Sequence, residues 1–330
     1  METKTILVDR NVNKEETYSQ AVEMIRNGEV VAFPTETVYG LGGDATNPLA
    51  IDKIFSAKGR PADNPLIVHV DSKDSALAFT ETVSDKAVQC MEAFWPGALT
   101  LVLKSKPDTL AENVTAGLPT VGIRVPDHPV ALNFLKRLKL PIAAPSANTS
   151  GKPSPTKAEH VFFDLNGKIP LILDGGATEI GIESTVLDMT CEPPVILRPG
   201  HVTKEQIESV IGKVRLSSEL QGNAPKSPGI KYAHYAPDTP VYLIENDEKL
   251  VNKAIAYLHE KGRKVAVLSN NEYPQADYQF PITTARLYDS LRQCDATEAD
   301  LILASVLQDD RDREALMNRL EKAADHKWFC

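Results

Sequence analysis

The chain has 330 residues, of which 42% are hydrophobic and 25% are charged, and its formal net charge is −9 at pH 7. A chain of this length exceeds what one hydrophobic core usually serves, so we expect two domains. The acidic balance argues against a protein that grips a nucleic-acid backbone, because phosphate binding needs a surplus of Lys and Arg. The net charge does not exclude a local basic surface.

The sequence also predicts a cytoplasmic location and reduced cysteines. No apolar run approaches the roughly 18 residues of a membrane span, and the amino terminus lacks the apolar region of a signal peptide. The cysteines stand far apart, at Cys90, Cys191, Cys294 and Cys330. Their spacing is neither that of a disulfide framework nor that of a zinc site.

The first ~210 residues alternate between helix-like and strand-like patterns. A helix is predicted over 15–27, where Tyr18, Val22 and Ile25 follow a helical spacing and Gly28 ends the pattern. Strands are predicted at 30–33, 66–70, 99–103, 121–125, 142–144, 171–173, 185–188 and 195–197, and further helices at 50–57, 84–94 and 129–138. This alternation predicts an α/β domain over 1–214 with a large, twisted, mixed sheet.

The periodicity stops over 215–237, where Ser, Gly and Pro predict an extended linker. Beyond it, strands are predicted at 241–245, 264–269 and 300–305, and helices at 247–261, 285–294 and 311–324. Such alternation is typical of a small parallel, Rossmann-like α/β domain, here 238–330. This part of the sequence lacks the glycine-rich fingerprint of a nucleotide site.

Polar and cationic residues follow the predicted strand 30–33. They occupy 34–42 and continue through Lys58, Arg60 and Asn64. Open α/β sheets bind ligands at strand ends, and cations beside small hydroxyl groups favour a phosphate-bearing ligand. A solvated helix end explains Lys58 and Arg60 equally well, because cations complement the helix dipole there.

A second polar loop, 144–151, follows the predicted strand 142–144 and extends to Ser154. It carries Ser146 and Asn148. These residue types also form plain turns for local reasons. The functional interpretation is a set of small donors that packs against a nucleotide or its phosphates.

Arg124 lies inside an otherwise apolar strand, where arginine needs a partner. That partner is either a structural carboxylate or an anionic ligand, and we favour the ligand because the guanidinium fork matches a carboxylate or phosphate. His69, taken alone, is typical of a packed strand histidine. Ser184 and Arg198 also lie next to predicted strands: Ser184 is a hydroxyl residue before the strand 185–188, and Arg198 is an arginine after the strand 195–197.

The chain shows no trustworthy signature of a protein nucleophile, and the glycine-rich stretches 40–43 and 174–176 are weak as phosphate loops. The candidate groups suit positioning and charge neutralisation. That chemistry fits a ligase-like or nucleotidyl-transfer reaction in which the substrate supplies the nucleophile.

Taken together, the motifs resemble those of threonylcarbamoyl-AMP synthases of the long form. The motifs that carry the resemblance, in chain order, are 34–41, 58–60 with 64–66, 146–148, 183–185, 198–200, and 227–229 with 234–237. The resemblance implies a YrdC-like catalytic domain, a linker that closes over the active site, and a Rossmann-like C-terminal domain.

The resemblance also implies an enzyme, a nucleotidyltransferase. It would condense L-threonine, bicarbonate or CO2, and ATP into threonylcarbamoyl-AMP and pyrophosphate. The product would pass to the machinery that forms N6-threonylcarbamoyladenosine at position 37 of tRNAs reading ANN codons. Direct tRNA binding would be weak or absent. Mg²⁺ would arrive with the ATP phosphates, without a protein metal site or an organic cofactor.

The implied catalytic residues are Lys58 and Arg60. The implied ATP-binding residues are Lys58, Arg60, Asn64, Thr120, Ser146, Asn148, Ser154, Arg198 and Tyr235. The implied L-threonine-binding residues are Thr37, His69, Arg124, Ala144 and Ser184. The linker departs from the usual motif SPGMKYRHYAP at Ile230 and Ala233.

Two other functions remain open at this point. One is a non-catalytic RNA-binding module that uses Lys53, Lys58, Arg60 and Lys152 as a phosphate track. The other is a carbamoyl-transfer enzyme that uses carbamoyl phosphate in place of bicarbonate and threonine.

Overall fold

The computed structural model describes residues 2–10, 15–219, 235–306 and 313–329. These residues fall into two compact units. The first comprises the described residues up to Ser150 and from Pro155 to 219, and the second comprises Gly151–Ser154 and the described residues from 235 onward.

The described part of the first unit forms one mixed sheet. Its strands are β1 (Lys4–Leu7), β2 (Val31–Phe33), β3 (Gly40–Asp44), β4 (Ile67–His69), β5 (Leu99–Lys104), β6 (Thr120–Arg124), β7 (Ile142–Ala143), β8 (Leu171–Asp174), β9 (Thr185–Asp188), β10 (Val195–Arg198) and β11 (Arg215–Leu216). Their order is β1-β8-β2-β3-β7-β4-β6-β5-β9-β10-β11. Parallel pairs such as β4–β6 stand beside antiparallel pairs such as β4–β7, which confirms the predicted mixed sheet.

Helices bury their apolar faces against this sheet. They are α1 (Glu15–Arg26), α2 (Pro48–Lys58), α3 (Lys73–Leu77), α4 (Asp85–Phe94), α5 (Glu112–Thr115), α6 (Pro129–Leu138), α7 (Ala158–Leu165) and α8 (Lys204–Ile211). Tyr18 and Ile25 of α1 join Phe134 of α6 in one buried cluster, and Ile51 and Ile54 of α2 lie in another. The spacing read from the sequence therefore identifies the core faces.

β3 corresponds to the glycine-rich stretch considered as a weak phosphate loop. Gly42 permits a close approach within the sheet, because a Cβ there would lie 2.7 Å from Ile142 Cγ2 and 2.8 Å from Phe33 Cε1. The glycines of this strand therefore serve packing, which removes the phosphate-loop interpretation.

The second unit contains a parallel sheet in the order β12-β15-β13-β14. Its elements are β12 (Val241–Glu245), α9 (Glu248–Glu260), β13 (Val265–Leu268), β14 (Tyr278–Phe280), α10 (Leu287–Asp295), β15 (Leu301–Val306) and α11 (Arg313–Ala323). This confirms the predicted Rossmann-like unit. The prediction missed β14, a three-residue strand at the sheet edge with Gln279 exposed.

The predicted linker begins too early. Arg215 and Leu216 pair in parallel with Val195 and Ile196, so they still belong to the sheet of the first unit, and a 3-10 helix follows at Ser217–Glu219. Positions 220–234, which hold most of the predicted linker and its Ile230 and Ala233, lie outside the described residues.

Cys90, Cys191 and Cys294 are free thiols, as expected, whereas Cys330 lies outside the described residues. Burial raises the pKa of the Cys90 thiol to about 11 and that of Cys294 to about 12. Among the helices described, none has both the length and the apolar character that a membrane crossing requires.

His128 gives the first unit a testable pH dependence. Its Nδ1 accepts a hydrogen bond from Val130 N at 3.2 Å at the start of α6, and burial, aided by Arg10, lowers its pKa to about 4. In the unfolded chain the pKa of His128 is near 6.5, so between about pH 4 and pH 6.5 its imidazole binds a proton in the unfolded chain but not in the folded one. Stability from this group should be complete above pH 6.5 and fall by about 3 kcal/mol toward pH 4.

The variant His128→Asn isolates this contribution. Asparagine keeps a side-chain acceptor at the start of α6 but does not titrate. Urea unfolding at pH 7 and pH 4.5 should show a smaller loss of stability in the variant than in the wild type. Equal losses in both proteins would contradict the assignment.

Candidate functional site

Three predicted residues lie on neighbouring strands of the first unit, β4, β6 and the end of β7. His69 is the last residue of β4 and lies opposite Arg124, the last residue of β6. On its other side, β4 pairs with β7, and Ala144 N donates to Ile67 O at 2.9 Å. The sheet thereby places His69 beside Arg124 at one end of β4, and Ala144 beside Ile67 at the other end of the same strand.

The loop between β2 and β3 brings Thr37 to the same place. Thr35 Oγ1 accepts from Thr37 N at 3.2 Å and Val38 N at 3.3 Å, which folds the loop back on itself. Thr37 is buried, and its Oγ1 accepts a hydrogen bond from Arg124 Nη1 at 3.1 Å. The hydroxyl group of Thr37 and the guanidinium group of Arg124 are therefore in direct contact.

Arg124 has an internal partner, contrary to the interpretation that we favoured. Its Nη2 donates to Glu36 Oε1 at 2.5 Å, and the two side chains are only 3% and 5% exposed. Burial lowers the pKa of Arg124, and the neighbouring Glu36 opposes that shift. The structural carboxylate, which was the alternative that we did not favour, is therefore present and belongs to Glu36 in the first polar motif.

His69 is a neutral side chain in this surrounding. Burial, and secondarily the charge of Arg124, lowers its pKa to about 3. Its Nδ1 lies 3.2 Å from Ile67 O, and its ring packs edge-on against Phe33 with centroids 6.1 Å apart. This is the packed strand histidine expected from the residue alone, placed beside Thr37 and Arg124.

Lys58 is not a solvated helix end. It is the last residue of α2, which Gly59 terminates at φ 61°, but its side chain is buried. Its Nζ donates to Ser146 O and Asn148 O, both at 2.5 Å. Burial, followed by the charge of Arg60, lowers the pKa of Lys58.

The 146–148 turn is tied both to Lys58 and to the first polar loop. Ser146 Oγ donates to Asn148 Oδ1 at 2.5 Å. Ala147 N donates to Tyr39 O at 2.8 Å, and Ser146 forms an isolated bridge with Gly40. The two loops singled out in the sequence therefore form one assembly, with a buried cation at its centre.

Ser184 and Arg198 form a second cation–hydroxyl pair. Arg198 donates to Ser184 O from Nε at 3.1 Å and from Nη2 at 2.9 Å, and Ser184 Oγ lies 2.8 Å from Thr100 Oγ1. Gly200 permits this approach, since a Cβ there would lie 2.4 Å from Thr185 N. Gly181 N donates to Thr37 O at 3.1 Å, which links this segment to the first loop.

A small cavity of about 20 Å³ lies between side chains of β4, β5, β6, β9 and β10. It includes Thr120 and Thr100, and its walls are otherwise mostly apolar: Pro65, Leu66, Ile67, Val102, Leu118, Gly122, Val186 and Leu197. Asn64, which precedes Pro65 of this lining in the chain, is buried, and Arg60 Nη2 donates to its carbonyl oxygen at 3.3 Å.

Two predicted ATP-binding residues belong to the second unit. Ser154 is buried there within Gly151–Ser154. The ring of Tyr235 packs against Tyr288 at 5.4 Å between centroids, and the guanidinium of Arg319 lies 5.9 Å from it. The structure therefore gives Tyr235 a packing role in its own unit.

The sequence interpretation missed Glu36, Thr35 and Thr100. Glu36 could have been found, because a buried arginine demands a carboxylate and Glu36 lies within the first motif. Thr35 contacts Thr37 within the same loop, and Thr100 contacts Ser184, which is 84 residues away, so no spacing rule marks the second contact.

Comparison with known proteins covers both units. Residues 23–200 match the family Sua5_yciO_yrdC, described as "Telomere recombination", and residues 202–325 match the family Sua5_C, described as "Threonylcarbamoyl-AMP synthase, C-terminal domain". The threonylcarbamoyl-AMP synthase of Bacillus subtilis is 51% identical over 319 residues, covering 93% of this chain and 92% of that protein. The Pyrococcus abyssi enzyme of the same name is 44% identical over 320 residues, with coverages of 93% and 94%.

A crystal structure of P. abyssi Sua5 complexed with L-threonine is also similar to this chain. It has 42% identity and a TM-score of 0.93, and the match covers 99% of each chain. The similarity thus spans the first unit with the candidate site, the second unit and the sequence between them. The chain belongs to the threonylcarbamoyl-AMP synthase family.

Proposed function

We propose that this chain is an L-threonylcarbamoyladenylate synthase. It condenses L-threonine, bicarbonate or CO2, and ATP into threonylcarbamoyl-AMP and pyrophosphate. The observation that carries the proposal is the similarity, over 93% of this chain, to proteins named for that product. The product would serve the formation of N6-threonylcarbamoyladenosine at position 37 of tRNAs reading ANN codons.

L-Threonine would lie at the strand ends around Arg124. Its carboxylate suits the guanidinium, and its hydroxyl group suits Thr37, His69 and Ser184, all of which are buried. An analogue without the hydroxyl group would leave these groups unpaired and be discriminated against. Ala144, which lies opposite Ile67 on the neighbouring strand, would line the same site with its small side chain. A related structure complexed with L-threonine supports this ligand class.

ATP would bind against the 146–148 turn and the residues around Thr120 and Asn64. Thr120 and Asn64 would border the nucleoside, and Ser146 and Asn148 would donate to it or to its phosphates. Lys58, Arg60 and Arg198 would supply the positive potential for the triphosphate. ATP would enter as its magnesium complex, since the cationic side chains around the site are poor ligands for a metal ion.

The reaction divides into two displacements. After the α-ammonium group of threonine has lost a proton, the neutral amine attacks CO2 with release of one further proton, or attacks bicarbonate with release of water, and forms a carbamate. A carbamate oxygen then attacks the α-phosphorus as the bond to pyrophosphate breaks. Cations aimed at the phosphates stabilise the charge that develops there. A buried site protects the carbamate from water.

The experiment is an omission assay of pyrophosphate release with the full-length protein. We expect release to require ATP, L-threonine and bicarbonate together, and to fall to background when any one is left out. Release that continues without threonine would overturn the proposal. Turnover with carbamoyl phosphate in place of bicarbonate and threonine would favour the carbamoyl-transfer alternative. Steeply salt-dependent tRNA binding without ATP turnover would favour an RNA-binding module.

A further inference from the structure

Glu36 and Arg124 form an ion pair that is one hydrogen bond short of complete. Glu36 Oε1 accepts from Arg124 Nη2 at 2.5 Å. Glu36 Oε2 and Arg124 Nε are both buried, and neither has a hydrogen-bond partner among the residues described. Nε and Nη2 lie on the same edge of the guanidinium, where a carboxylate usually binds through both oxygens. This pair uses one oxygen and one nitrogen.

Two unpartnered charged atoms in one buried pair call for a physical reason. Buried polar atoms without partners are costly, and native structures keep few of them. Glu36 is 4% exposed and Arg124 is 3% exposed, so solvent does not supply the partners. Thr37 Oγ1, which Arg124 Nη1 contacts, already has its hydrogen bonds within the loop. A ligand that contacts Glu36 Oε2 and Arg124 Nε therefore explains these two atoms better than the protein's own packing does.

The unused positions are a donor on a cation and an acceptor on an anion. A ligand that carries a carboxylate and an ammonium group satisfies both at once. Such a zwitterion adds no net charge to a buried pair, whereas a simple carboxylate would leave one negative charge in excess. The pair is thus complementary to a free α-amino acid.

We propose that Glu36 binds the α-ammonium group of the amino-acid substrate while Arg124 binds its carboxylate. This inference rests on the proposed function and deepens it, because it assigns the recognition of the amine to a residue outside the site set given above. Glu36 thereby selects a free amino acid over a hydroxy acid that lacks the amine. Arg124 stays in contact with Glu36 both with and without the bound amino acid.

The test measures binding of L-threonine and of (R)-3-hydroxybutyrate, which keeps the carboxylate and the hydroxyl group but lacks the amine. In the wild type, L-threonine should bind more tightly, by about 10- to 100-fold, as expected for a hydrogen bond to a charged group. In Glu36→Gln this preference should collapse toward unity because threonine binding weakens and binding of the analogue does not. Glu36→Asp should recover part of it.

Asp188→Asn is the matched control for loss of a buried carboxylate. Asp188 is 7% exposed, and its Oδ1 accepts from Thr190 N at 2.8 Å. This variant should keep the wild-type preference for L-threonine. Thermal unfolding establishes that each variant is folded. Should Glu36→Gln not fold, the two ligands compared on the wild type still decide, because equal affinities overturn the inference.

The outcomes separate this inference from the proposed function. A wild type that turns over L-threonine, with a Glu36→Gln variant that keeps the full preference for it, overturns the role of Glu36 alone. A wild type that neither binds nor consumes L-threonine overturns the proposed function, and the role of Glu36 falls with it.

Discussion

Replacing Lys58 by Ala is expected to lower kcat/KM for pyrophosphate release by about 10²–10³-fold, the scale for losing one preorganised charge at a reacting centre. The Nζ group is buried and holds the carbonyls of Ser146 and Asn148, so its loss removes a positive charge and loosens the turn that carries two proposed ATP contacts. The measurement is steady-state pyrophosphate release with ATP varied at saturating L-threonine and bicarbonate.

Lys53→Ala is the control for this prediction, because it removes a lysine from the same helix. Lys53 pairs with Glu29 at 2.7 Å, and its side chain is 43% exposed, so the pair is worth little. Its kcat/KM should stay close to the wild type. A Lys58→Ala effect below about threefold, in a protein that remains folded, would contradict the role given to Lys58.

Replacing Arg124 by Met is expected to destabilise the first unit by about 3–5 kcal/mol. The substitution leaves the Glu36 carboxylate buried without its cation, and the loss of a partner from a buried pair is far more costly than the loss of the pair. The double variant Arg124→Met with Glu36→Met should recover most of the stability. Urea unfolding of the single and double variants measures the difference.

The two tryptophans let fluorescence report on the first unit alone. Trp95 belongs to it, and its Nε1 donates to Leu99 O at 2.7 Å, whereas Trp328 belongs to the second unit. In a Trp328→Phe background, the emission of Trp95 follows unfolding of the first unit. A single variant as stable as the wild type, or a double variant no better than the single, would contradict a buried ion pair at this position.

The sequence predicted the fold where apolar periodicity was strong. The helix over 129–138 and the strand over 185–188 match α6 and β9, and the alternation in the second unit identified its parallel sheet. Short or atypical strands escaped prediction. β3 is rich in glycine because its neighbours leave no room for side chains, and that reason becomes visible only when Phe33 and Ile142 are in place.

The sequence predicted a list of site residues but not the hydrogen bonds and ion pairs that connect them. The family resemblance grouped Thr37, His69 and Arg124 as threonine-binding residues, and the sheet register shows that His69 and Arg124 are neighbours. The partners of the charged groups could not be assigned in the same way. Glu36, Ser146 O and Asn148 O meet Arg124 and Lys58 through pairings between segments far apart in the chain.

The central claim is that threonine and the α-phosphate of ATP are joined through a carbon atom taken from bicarbonate. Mass spectrometry of the product formed from [13C]bicarbonate tests it most directly. The account predicts threonylcarbamoyl-AMP that is heavier by about one mass unit than the product from unlabelled bicarbonate, as one captured carbon requires. Threonyl-AMP without that carbon, or AMP formed with no labelled adduct, would contradict it.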